Sequence, residues 1–112
     1  MFNSTNSLKL LAIFFTIVLL IPGCSDPEKK KVEHYKKGME YVEKEEWKPA
    51  IIELQNAVQV DPKYADARYQ LGLAFLKEKQ YQNAVKELIR ATDIDPQNLD
   101  AQFILGWKGF GC

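Results

Sequence analysis

Residues 31–64, KVEHYKKGMEYVEKEEWKPAIIELQNAVQVDPKY, and residues 65–98, ADARYQLGLAFLKEKQYQNAVKELIRATDIDPQN, are two copies of one pattern. Each copy has 34 residues, and the copies stay in register throughout. A third copy starts at residue 99. An internal repeat of this length indicates a solenoid of similar units. The matched pairs are Gly38 with Gly72, Tyr41 with Phe75, Trp47 with Tyr81, Ala50 with Ala84, Leu54 with Leu88, Ala57 with Ala91, Asp61 with Asp95, and Pro62 with Pro96.

The spacing of apolar residues within each copy predicts helices. Steps of three and four residues separate Ile51, Leu54 and Val58, which is the spacing of one helix face. Pro62 would end that helix, because proline cannot continue the hydrogen-bond ladder. We expect five helices, near residues 30–44, 48–60, 65–78, 82–94 and 99–108.

The 34-residue period and its small, aromatic and proline positions resemble the tetratricopeptide repeat (TPR). The resemblance implies an all-α fold, a solenoid of helical hairpins. It places one full repeat at residues 31–64, a second at 65–98 and a partial third at 99–112. The small residues, such as Gly38 and Gly72, would let paired helices approach closely. His34 and Arg68 depart from the family, which often has tryptophan at their position.

The resemblance also implies a binding groove, because the first helix of each TPR unit lines a concave face. The side chains at those positions are aromatic and aliphatic, which suits a hydrophobic segment or helix of a partner. Packing between neighbouring repeats is the alternative role for the same side chains. The predicted groove residues are Tyr35, Met39, Val42, Tyr69, Leu73, Leu76, Phe103 and Trp107.

The N-terminal residues are predicted to form an export signal. The apolar stretch LLAIFFTIVLLI, residues 10–21, is too short for a membrane span of about 20 residues. Its length suits the core of a signal peptide. Ile21-Pro22-Gly23-Cys24 resembles the lipobox of bacterial lipoproteins, which implies cleavage before Cys24 and a covalent lipid on it. Residues 1–23 are then a lipoprotein signal peptide and residues 24–30 a linker; an uncleaved anchor or an ordinary secretory leader remains the alternative.

A lipid on Cys24 would place the chain in the bacterial cell envelope. Two or more acyl chains, such as palmitate, hold a protein stably on a membrane. Ser25 follows the cysteine, and by the resemblance this favours the periplasmic face of the outer membrane in a Gram-negative cell. Cys112 would be left unpaired, and we interpret it as incidental.

The composition argues against several other functions. The formal net charge is zero, so no overall field favours nucleic acid. His34 is the only histidine, and a metal site needs several converging ligands. No nucleophile–base arrangement or phosphate-binding loop is present in the sequence. We expect no enzyme activity, no metal and no cofactor other than the lipid on Cys24.

Three functional hypotheses follow. The first is a membrane-anchored scaffold that binds other envelope proteins or peptide segments. The second is a component of an exopolysaccharide or protein-sorting export system, because AIIELQNAVQVDPKYADARYQLG and AVKELIRA resemble the opening repeats of PEP-CTERM-type TPR lipoproteins. The third is a structural array that self-associates through its Phe103–Trp107 end.

Overall fold

A computed structural model describes residues 26–107, and every regular element in this range is a helix. Each helix packs on the next one along the chain. The predicted all-α solenoid of helical hairpins is confirmed, and the helix bounds lie within three residues of those predicted. The predicted signal peptide, Cys24 and Cys112 lie outside the described residues. The helices are α1 (Pro27–Glu43), α2 (Trp47–Val60), α3 (Ala65–Lys77), α4 (Tyr81–Ile94) and α5 (Leu99–Trp107).

Helix α1 begins at Pro27, inside the segment predicted to be a linker. The Asp26 side chain caps the helix by accepting a hydrogen bond from the Glu28 backbone N–H at 3.0 Å. Proline fits the first helical turn, because an N–H there has no partner within the helix. Local capping therefore extends the helix by a turn over residues whose polar composition had indicated a linker.

A tight turn of the same geometry closes both hairpins. Glu45 and Lys79 adopt left-handed backbone conformations, with φ of 58° and 60°. The Glu46 N–H donates to the Tyr41 carbonyl at 2.9 Å, and the equivalent bond in the second hairpin is 2.8 Å long. This is the Schellman arrangement, which satisfies carbonyls at a helix C-terminus and reverses the chain.

An aspartate turn joins each repeat to the next. Asp61 Oδ1 accepts from the Lys63 N–H at 3.0 Å, and Asp95 Oδ1 accepts from the Gln97 N–H at 3.1 Å. The proline after each aspartate cannot extend the preceding helix. Each repeat therefore ends in the same way, with a helix that stops at the aspartate and a turn held by the aspartate side chain.

Each hairpin is held by a leucine packed against a glycine. Leu54 and Leu88 are the largest fully buried side chains among the described residues. An ideal Cβ on Gly38 would lie 2.8 Å from Leu54 Cγ, and one on Gly72 would lie 2.8 Å from Leu88 Cγ. A side chain at either glycine would therefore push the leucine out of its place, and glycine lets the helices approach this closely.

The central core lies where the two repeats meet. Tyr35, Val42 and Leu76, three of the predicted groove residues, pack partly buried against it. Within residues 26–107, no helix combines the length and apolar character needed to cross a bilayer. The buried core residues are Ile51, Leu54, Ala57, Val58, Ala67, Leu71, Ala74, Phe75 and Ala84.

An ion pair ties the start of α1 to the first aspartate turn. Lys31 Nζ lies 2.7 Å from Asp61 Oδ2 and 2.9 Å from Glu28 Oε2. The hydrogen bond from Lys31, together with that from the Lys63 backbone, lowers the pKa of Asp61. The hydrogen bonds that Lys31 donates to the Asp61 and Glu28 carboxylates raise the pKa of Lys31 well above its usual range. This contact connects the first helix of the repeat to the end of the second.

Replacing Asp61 should change how stability depends on acid. The folded-state pKa of Asp61 is depressed, so its contribution is present at neutral pH and is lost as the pH falls below about 4. Asp61→Asn keeps the oxygen that accepts from Lys63 but removes the charge. We expect a smaller acid-induced loss of unfolding free energy in this variant, measured by urea denaturation between about pH 2 and 7.

Asp95→Asn is the matched control, because Asp95 makes the same turn without an ion pair to any described residue. If Asp61→Asn and Asp95→Asn have the same pH profile, the Lys31 contact contributes nothing to acid stability.

Candidate functional site

Two tyrosines belong to the predicted groove, Tyr35 and Tyr69, and each lies near an acidic residue of the following repeat. The rings of Tyr35 and Tyr64 lie 5.1 Å apart between centroids, tilted by 42°. Burial is the main cause of a raised pKa at both Tyr35 and Tyr69. The negative charge of Asp66 raises the pKa of Tyr35 further, and that of Asp100 does the same for Tyr69. Both phenols therefore stay protonated at neutral pH and can donate a hydrogen bond. Their half-buried rings contribute to repeat packing as well as to the surface.

A small apolar pocket lies where the first hairpin meets α3. Its volume is about 170 Å³. Lys77 Nζ lies 5.7 Å from the centroid of the Trp47 ring, a cation–π contact at the rim. We call this cavity the Trp47 pocket. It is lined by Val42, Trp47, Gln70, Leu73, Leu76 and Lys77.

The structure brings three of the eight predicted groove residues together in this pocket: Val42, Leu73 and Leu76. Tyr35, Met39 and Tyr69 are half-buried and do not line it. Phe103 is 71% exposed on α5, away from the pocket. The side chain of Trp107 lies outside what the structure describes. Three of the eight predicted groove residues therefore share one cavity, at the junction between the two repeats.

A second, larger cavity lies between α2, α3 and α4, with a volume of about 550 Å³. A buried ion pair forms part of its wall: Arg68 Nη1 lies 2.6 Å from Glu87 Oε2, with 9% and 12% of the side chains exposed. Arg68 Nε also donates to the Pro62 carbonyl at 2.8 Å. Both side chains are thus occupied by each other and by the backbone, and this wall is structural.

The first repeat places an equivalent pair at the same position. His34 Nδ1 lies 2.7 Å from Glu53 Oε2, and both side chains are more exposed than those of Arg68 and Glu87. Within residues 26–107, no three histidine, cysteine, aspartate or glutamate side chains are close enough to share a metal ion. At the position where the family often has tryptophan, His34 and Arg68 therefore each form a polar bridge between two helices.

Comparison with known protein families gives matches over both repeats. A family model described as a TPR repeat matches residues 38–79, and one described as a tetratricopeptide repeat matches residues 65–98. The matched residues, 38–98, are tetratricopeptide repeats. A search of curated proteins finds no match. Repeats of this kind generally mediate protein–protein interactions, and TPR proteins are typically non-catalytic scaffolds.

Three residues of the Trp47 pocket were not among the predicted groove residues. Gln70 and Lys77 lie three residues before and four residues after Leu73, on the same face of α3. That spacing was a usable signal in the sequence. Trp47 gave no such signal, because it begins the second helix of its TPR hairpin and reaches the pocket only after the turn reverses the chain.

Proposed function

We propose that this chain is a membrane-anchored TPR scaffold of the bacterial cell envelope, which binds an apolar segment of another envelope protein at the Trp47 pocket. The observation that carries this proposal is the pocket itself, an apolar cavity at a repeat junction. Its volume of about 170 Å³ is below the roughly 300–1,000 Å³ typical of small-molecule sites. That size suits a single anchoring side chain of a larger protein partner.

Two polar side chains of the pocket, Gln70 and Lys77, would fix the orientation of a bound segment. The Gln70 amide can donate to and accept from a partner backbone, and Lys77 places a positive charge beside the Trp47 ring. We therefore expect the bound segment to carry an aliphatic or aromatic anchor with an acidic group nearby. Aromatic walls of this kind are enriched at protein interfaces.

The tether rests on the sequence of the N-terminus. Only Ser25 and Asp26 separate Cys24 from helix α1. An acyl chain on Cys24 would therefore hold the first repeat directly beside the bilayer. The lysines at the start of α1 would then lie near the lipid headgroups, where each basic residue contributes roughly 1 kcal/mol on an anionic surface.

The pocket is tested by site-specific photo-crosslinking in native membranes. A photoreactive residue at Leu73 should give a discrete crosslinked protein, whereas one at Lys86, on the Arg68–Glu87 side, should not. Leu76→Glu should abolish the Leu73 product while the far-UV circular dichroism stays helical, because a carboxylate in the pocket repels an apolar anchor. Equal crosslinking from the two positions, or a product unaffected by Leu76→Glu, would exclude the pocket.

The tether is tested separately by mass spectrometry. The mature parent chain should start at an acylated Cys24 and sediment with membranes, and Cys24→Ser should do neither. An unmodified N-terminus in the parent would remove the anchor from the proposal and leave the pocket in place. A role in an export system stays an alternative context for the same scaffold, and it rests on the sequence resemblance alone.

A further inference from the structure

The cavity between α2, α3 and α4 carries an excess of positive charge, and we call it the basic cavity. Its charged lining residues are Arg68, Lys86, Glu87 and Arg90. Because Arg68 and Glu87 neutralise each other at 2.6 Å, the charges of Lys86 and Arg90 remain. Arg90 Nη1 lies 3.9 Å from Glu87 Oε1, too far for a hydrogen bond. Lys86 forms no ion pair with any described residue. The cavity therefore favours an anion.

The two uncompensated cations are not part of the repeat pattern. Lys86 and Arg90 stand at the positions that Ile52 and Asn56 occupy in the first repeat. They are four residues apart on one face of α4, and both are exposed. Since the first hairpin packs without basic residues at these positions, the fold does not require them. Their charges are available to a ligand.

Amide groups beside the two cations add hydrogen-bond donors. Gln80 Oε1 accepts from Asn83 Nδ2 at 2.9 Å, and both residues line the cavity. An amide nitrogen carries two hydrogens, so Gln80 keeps both of its own and Asn83 keeps one. Gln55 and Gln59 line the α2 side, again four residues apart. Two cations and several N–H groups are the donors that recognise phosphate oxygens.

The size and the apolar lining of the basic cavity indicate more than a bare ion. Its volume of about 550 Å³ lies within the roughly 300–1,000 Å³ typical of small-molecule sites. Ile51, Val58 and Phe75 line its apolar part. A phosphate monoester supplies about two negative charges and three acceptor oxygens at neutral pH, and its organic part can cover apolar surface.

We propose that the basic cavity binds a small organic phosphate monoester, with the phosphate on Lys86 and Arg90 and the organic part against the apolar lining. The basic cavity and the Trp47 pocket share no lining residue. A small molecule in the basic cavity would leave no crosslinked protein at position 86. The site therefore stands independently of the proposed function, and either can fail without the other.

The probe is 4-methylumbelliferyl phosphate, offered to the full chain in neutral detergent micelles at neutral pH. Equilibrium dialysis against protein-free micelles measures the bound fraction, and we expect saturable one-to-one binding. Inorganic phosphate lacks the organic part, and 4-methylumbelliferone lacks the phosphate. Each should bind about tenfold more weakly or worse, because each makes only half of the contacts.

Variants of the protein locate the site. Lys86→Gln/Arg90→Gln should weaken binding about tenfold or more, because the phosphate loses both cations. Gln59→Glu keeps the size of its side chain but adds a negative charge to the cavity, and it should weaken binding as well. Lys44→Gln/Lys48→Gln is the matched control, because it removes the same charge from exposed positions outside the cavity. It should bind as the parent does, and circular dichroism should show an unchanged helical fold in all three variants.

Three results would overturn the proposal. The first is no saturable binding of the phosphate ester to the parent chain. The second is equal binding of the ester and 4-methylumbelliferone, because the phosphate would then contribute nothing. The third is an equal effect of the cavity variant and the matched control, because binding would then follow net charge rather than the site.

Discussion

Leu88→Ala is expected to lower the free energy of unfolding by about 2–5 kcal/mol, the usual cost of emptying a well-packed core site. Leu88 is fully buried and lies between α3 and α4, directly against Gly72. Typical domains have only about 5–15 kcal/mol of stability, and this array is short. The variant should therefore unfold at a much lower urea concentration, with circular dichroism as the readout.

Gly72→Ala tests whether the leucine and the glycine act as a unit. In the parent background the added methyl group would meet Leu88 Cγ at 2.8 Å, and overpacking of this kind costs about 1–3 kcal/mol. Alanine's better helix propensity returns about 1 kcal/mol of this. In the Leu88→Ala background the same methyl group has room and fills part of the cavity, so Gly72→Ala should there be neutral or stabilising.

Gly106→Ala is the matched control for this cycle, because no atom lies within 4 Å of its ideal Cβ. It should be neutral or stabilising by up to about 1 kcal/mol, and its effect should add to that of Leu88→Ala. If the effects of Gly72→Ala and Leu88→Ala also add, with no coupling between them, the close glycine–leucine contact does not control hairpin packing.

Glu87→Gln is expected to cost about 3 kcal/mol of unfolding free energy. The change leaves the Arg68 guanidinium charged in a site where only 9% of its side chain is exposed. Removing one partner of a buried ion pair costs far more than the intact pair contributes, because the remaining charge stays desolvated. Urea denaturation at neutral pH measures the loss.

The first repeat supplies the control for this prediction. Glu53→Gln makes the same change opposite His34, where 23% and 22% of the two side chains are exposed, and it should cost about 1 kcal/mol or less. Replacing both Arg68 and Glu87 by apolar residues should recover most of the Glu87→Gln loss, since no buried charge is then left unpaired. Equal losses for Glu87→Gln and Glu53→Gln would show that burial does not decide the strength of these pairs.

The fold could be predicted from the sequence because the same 34-residue pattern occurs twice in register. One pair of glycines 34 residues apart would mean little, but a whole register of matched glycine, leucine, alanine and proline positions leaves little choice of architecture. The start of α1 was placed too late for a local reason. Polar composition indicated a linker, whereas the Asp26 cap and Pro27 set the first turn.

The candidate site could be predicted only in part. The resemblance to the TPR family placed Val42, Leu73 and Leu76 among the predicted groove residues, and these three line the pocket. It could not add Trp47, whose place beside Leu73 depends on how tightly the turn at Glu45 folds α2 back on α1. Contacts between different helices are set by packing angles, and the sequence of a single helix does not contain them.

The 34-residue register was enough to determine the helical hairpins and the breaks between them, because these features depend on neighbours along the chain. The tertiary structure alone decided which equivalent positions differ in environment. His34 and Arg68 hold equivalent positions, yet Arg68 is more deeply buried than His34. Burial depends on what lies above a residue in space, so identical places in a repeat can have different physical chemistry.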